Sequence, residues 1–173
     1  MPRDFPSPLP IASTVLRGLI VLNWLYAAFL LTILVGMFAA QSWMAAALGI
    51  ADAADAHLVV GIRAIAALGL VTVPLHFAVL SRLLAMVQTV RSRDPFVAAN
   101  AQRLKSIAWA ILALQLLSVI IALIADVVST PAHPLYLDAG FSTGGWLSVL
   151  LTFVLARVFA QGALMREDLE GTV

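Results

Sequence analysis

Apolar residues run in four uninterrupted blocks along the chain, Leu19 to Ala40, Leu58 to Leu80, Ile107 to Ala125 and Trp146 to Leu164. Each block holds about twenty residues, enough to cross ~30 Å of hydrocarbon at the helical rise of about 1.5 Å per residue. The pattern predicts an all-α fold, a four-transmembrane-helix bundle with a membrane domain over residues 19–164. Aromatic residues fall where interface belts belong, with Trp24 and Trp109 near one face and Trp43, Tyr136 and Trp146 near the other.

The polar segments between the blocks carry the next layer of organisation. Residues 1–18 hold Pro2, Pro6, Pro8 and Pro10 and read as a disordered, Pro-rich leader. They do not read as a signal peptide, because the following apolar block exceeds the roughly 7 to 15 residues of a cleaved h-region. The second block keeps a helical pattern through Ser81, Leu84, Gln88 and Val90, which predicts a helix running past the lipid. Arg91-Ser92-Arg93 then turns the chain, with Asp94 as an N-cap and Pro95 at N1 of a helix that continues into the third block. The second and third helices are thus expected to extend as a helical hairpin, and residues 165–173 form a tail.

Charge orients this arrangement. Arg3, Arg17, Arg82, Arg91, Arg93, Arg103, Lys105 and Arg166 all lie on the side of the two termini and the hairpin. The other two connections contain no Lys or Arg and carry Asp52, Asp55, Asp126 and Asp138. By the positive-inside rule the termini and the hairpin face the cytoplasm and the acidic loops face outward. With 62% hydrophobic residues, 11% charged and a net charge of +1 in 173 residues, the chain has no basic field for direct nucleic-acid binding. Cysteine is absent, which removes disulfides, thiolate metal sites and a cysteine nucleophile.

The stretch from Asp94-Pro95-Phe96 through Asn100, Gln102-Arg103-Leu104-Lys105 to Ile107 resembles the signature of a bacterial membrane-protein family catalogued as domain of unknown function 2975. So do Leu155-Ala156-Arg157-Val158-Phe159, Gly162 and the tail from Arg166 to Val173. Ala99, in place of an acidic residue, and Glu170-Gly171, in place of an Asn-Asp type ending, depart from it. The resemblance implies a four-helix protein of the bacterial inner membrane with no known activity. It also implies a partner, since members are often encoded beside a very small helix-turn-helix regulator.

Several side chains could carry chemistry. Arg63 lies inside the outer end of the second span, where it must snorkel or pair. Asp126 is the expected ion-pair partner, with Asp55 an alternative, and a ligand or proton site is the competing reading. Arg157 reads as snorkelling to phosphates, and Gln115 as an interhelical hydrogen-bond donor. His76 follows Pro74 by two residues, where a freed carbonyl could be satisfied by the imidazole or by a neighbouring helix, and it reads as a hydrogen-bonded helix-contact histidine before a ligand. Haem needs two His at one depth on facing helices, yet only His57 and His133 share a side and both adjoin loops. Ser142 sits in a Gly-rich turn with His133 nine residues away, a weak serine-site pattern that a simple loop turn explains better.

The cytoplasmic side is the better functional candidate. Phe96, Asn100, Arg103 and Leu104 share a helical face, and Arg166, Glu167, Asp168 and Glu170 add mixed charge from the tail. The expectation is a non-enzymatic protein without metal or cofactor that contacts lipid and a small helix-turn-helix regulator, with homo-oligomerisation left open. The alternative is a small transporter or channel component, its polar path lined by Arg63, His76, Gln115 and Arg157.

Overall fold

The structure, a computed structural model, describes residues 8–47, 56–91, 97–131, 134–135 and 137–170. These form five helices, α1 (Pro8–Ala39), α2 (Gln41–Ala47), α3 (Ala56–Arg91), α4 (Ala98–Val128) and α5 (Thr143–Glu170). All but α2 are long and apolar enough to cross a membrane, giving four spans in an all-α multi-pass protein.

Burial supports that reading independently of hydropathy. Large apolar side chains such as Leu25, Phe29, Phe38, Trp43 and Leu123 point outward. The most buried positions include Ala66, Ala108, Ala125 and Ala163 together with the polar Asn23, Thr72 and Asn100. Many bulky apolar side chains outside, with alanines and polar residues buried beside Met37, Leu58 and Ile107, suit a solvent of lipid chains and not water.

Contacts between named residues set the topology. Asn23 reaches Val73 and Met37 reaches Arg63, so α1 and α3 run antiparallel. Asn100 meets Thr89, and a β-carbon at Gly61 would strike Val128, so α4 runs back along α3. Trp109 packs edge-on against Phe153 at 5.4 Å, and Gln115 lies on Gly145, which pairs α5 with α4. The helices therefore stand in the order α1, α3, α4, α5, and no comparable packing joins α1 to α5. One edge of the four-helix arrangement is open.

Several boundaries differ from the sequence pattern. The leader expected over residues 1–18 is helical from Pro8. Pro8 and Pro10 occupy the first turn, where a missing N–H leaves nothing unpaired, and Ser13 and Thr14 donate to the Pro10 carbonyl at 2.8 and 3.0 Å. Residues 1–7 lie outside the described residues. The connection after the first span contains α2, which folds back so that Met44 packs with Met37 and Val59. α4 starts at Ala98 and not at Pro95, because Val97 is extended (φ −97°, ψ 143°) and stands as its N-cap. Asp94, Pro95 and the turn between the two long helices lie outside the described residues. The tail remains helical as far as Glu170.

Candidate functional site, a groove between three helices

Pro74 interrupts the backbone ladder of α3, and polar side chains gather around it. Thr72 donates to the Gly69 carbonyl at 2.7 Å, and Asn23 Nδ2, buried on α1, donates to the Val73 carbonyl at 3.2 Å. His76 Nδ1 lies 2.9 Å from the Thr72 carbonyl, which can only accept. In the neutral ring the proton is then on Nδ1, and Nε2 is left as an acceptor.

These residues floor a groove walled by α1, α3 and α4. It consists of two hollows of about 700 and 680 Å³ that share Tyr26, Thr72, His76 and Leu114. The end toward the start of α1 is apolar, lined by Leu19, Leu22, Val79, Leu80 and Ile111. The opposite end is polar, with Gln115, Ser118, Asp138 and Ser142. Ser118 pins the loop over this polar end, accepting from Gly140 N at 3.0 Å and lying 3.4 Å from its carbonyl. Gly140 has φ +122°, a backbone conformation that a side chain would strain.

Ser142 Oγ accepts from Gly145 N at 3.1 Å, so that hydroxyl caps the start of α5. By contrast, the Tyr26 hydroxyl, the Gln115 amide and the Asp138 carboxylate have no hydrogen-bond partner among the described residues. They are unspent polar groups facing one cavity.

Of the side chains singled out from the sequence, the structure brings His76 and Gln115 together in this groove. Arg63 lies elsewhere. Its Nη2 donates to the Met37 carbonyl and to Gln41 Oε1 (3.0 Å), and its Cζ stands 4.4 Å from the Phe38 ring centroid. The expected ion pair with Asp126 does not form, and Asp126 is exposed near the end of α4. The reason is rotational: Gly61 faces α4, and a residue two positions on is turned about 200° around the helix. Arg63 therefore faces the end of α1, whose last carbonyls lack intrahelical partners. Its Nε is buried and unpartnered. Asp55 lies outside the described residues, and Arg157 is exposed on α5 away from the groove.

The candidate partner face also needs correction. Asn100 is 0% and Leu104 5% exposed, so neither faces solvent, and Asn100 meets Thr89 of α3. Asn100 Nδ2 donates to Thr89 Oγ1 at 2.8 Å, and its Oδ1 accepts from Arg103 Nη1 at 2.8 Å. These residues lock α3 to α4. Arg166 and Asp168 are exposed, whereas Phe96 and the side chains of Glu167 and Glu170 lie outside the described residues. His57 is exposed, His133 is outside the described residues, and among the described residues no three His, Asp or Glu side chains are grouped to hold a metal.

Asn23, Tyr26, Thr72, Ser118 and Asp138 are groove residues that the sequence pattern did not single out. A lone amide such as Asn23 in an apolar block was the readable signal, since such a group must find a partner between helices.

Fold and groove together define a multi-pass membrane protein with a polar recess between its spans. The family described as Protein of unknown function (DUF2975) matches residues 12–173, and the chain belongs to it. No curated protein and no solved structure matches the chain.

Proposed function

We propose that the protein is a non-enzymatic sensor of the bacterial inner membrane, responding to a ligand in the groove and acting on a small cytoplasmic helix-turn-helix regulator. One observation carries the reading. Two of the three helices that wall the groove, α3 and α4, are the same two that are locked together at the basic end by Asn100 and Thr89. A change in groove occupancy that shifts α3 against α4 would alter the surface at that end. Arg17, Arg82, Arg103, Lys105 and Arg166 gather there, while Asp126 and Asp138 lie toward the other end, which favours a cytoplasmic basic end.

Transport is the second reading, favoured by His76 and Gln115 lining one cavity. A continuous polar path is less well supported, because Leu19, Leu22, Val79 and Leu80 close the basic end of the groove with apolar surface.

The test is co-purification from native membranes of the wild type, a chain truncated after Met165, and Leu22→Trp, each checked for insertion. The sensing reading expects a small helix-turn-helix protein with the wild type, lost on truncation and changed in amount by Leu22→Trp. The same proteins from all three chains, or none, would leave transport as the better reading.

A further inference from the structure

We infer that the groove binds a single-chain amphiphile with a cationic, hydrogen-bonding amine head, its head beside Asp138 and its alkyl chain against Leu19, Leu22, Val79 and Leu80. This names the ligand class for the site on which the proposed function rests.

Polarity along the groove is segregated. The apolar end offers aliphatic surface from Leu19, Leu22, Val79, Leu80 and Ile111, with Asn23, Tyr26, Thr72 and His76 lining the same hollow. The other end presents Asp138, Gln115, Ser118 and Tyr26. A ligand that matches both ends is amphipathic, with one head and one tail. On α3 the lining runs from Ile65 to Leu80, about 22 Å at helical rise, which accommodates a head and a medium-length chain.

Charge selects among heads. Among the described residues no Lys or Arg lines either hollow, and Asp138 brings a carboxylate to the mouth. An anionic head would meet a like charge without a compensating cation, whereas an ammonium meets an opposite one. Hydrogen bonding refines the choice, because His76 Nε2, the Gln115 carbonyl oxygen and Asp138 all await donors. An amine brings several N–H donors. The Tyr26 and Phe29 rings line the same end, a surface that also favours a cation.

Access follows from topology. Because α1 packs against α3 and no comparable packing joins it to α4 or α5, the groove opens sideways beside α1. A molecule dissolved in the bilayer can enter without crossing the protein.

The experiment uses the full chain in phosphatidylcholine nanodiscs and a photoreactive dodecylamine, with adducts mapped by mass spectrometry. Unlabelled dodecylamine, dodecanol and laurate compete. Saturable adducts on groove residues of α1, α3 and α4 are expected, with dodecylamine competing at concentrations at least about tenfold below laurate. Asp138→Asn, a change at an exposed loop position, should erase that preference, and Leu22→Trp should block labelling by filling the tail end. Laurate competing as well as dodecylamine, a preference that survives Asp138→Asn, or adducts spread evenly over lipid-facing residues would overturn the inference. The measurement involves no cytoplasmic partner, so its failure leaves the co-purification result standing.

Discussion

The amide of Gln115 on α4 occupies the space that a β-carbon at Gly145 on α5 would need. Glycine at 145 is thus what holds this amide at the edge of the groove and lets the two helices approach. Gly145→Ala meets only the far end of a flexible side chain, so its stability change should stay below about 1 kcal/mol. The displaced amide should nevertheless crowd the groove and weaken dodecylamine labelling, and adding Gln115→Ala, which clears that space but removes one acceptor for the head, should restore it in part. Unchanged labelling in Gly145→Ala would separate Gln115 from the site.

Arg63 acts on the end of α1. Removing its bonds to the Met37 carbonyl and Gln41 in Arg63→Met should lower stability by about 1–3 kcal/mol, read by denaturant titration in mixed micelles. Asp126→Asn should change it by less than about 0.5 kcal/mol, as for an exposed position without a partner among the described residues. Equal losses from the two substitutions, non-additive in the double variant, would bring back the ion pair.

The basic end makes a separate prediction. Asn100→Leu removes the hydrogen bond from Asn100 Nδ2 to Thr89 Oγ1 and should destabilise the α3–α4 hairpin by about 1–3 kcal/mol. Hydrogen exchange should quicken at the backbone amides of residues 86–91 and 98–104 while the α4–α5 contact near Phe153 stays protected. Unaltered exchange at the hairpin would mean that Asn100 does not lock it.

The spans were legible because length and hydropathy are local properties, and Leu58 to Leu80 or Ile107 to Ala125 needs no tertiary information to be read. Rotation about each helix axis was not legible. A helix that is apolar on all sides offers no stripe to show which face packs. Depth along the axis therefore brought Arg63 and Asp126 to one level, and only the packing of Gly61 on Val128 turns Arg63 away toward Met37. The same blindness put Asn100 and Leu104 on an outward face, whereas helix packing buries them. The early start of α1 was hidden differently: Pro8 and Pro10 read as helix breakers, yet in a first turn they break nothing.

Orientation underlies the whole account, since it decides whether the α3–α4 hairpin can meet a cytoplasmic regulator and whether the Asp138 mouth faces outward. The chain has no cysteine, so single cysteines at Ala53 and Ser92 can be labelled in intact cells with a membrane-impermeant maleimide. The distribution of Lys and Arg predicts labelling at position 53 and protection at position 92 until the membrane is opened. Labelling at 92 with protection at 53 would contradict it, placing the basic end outside and removing the route to a cytoplasmic partner.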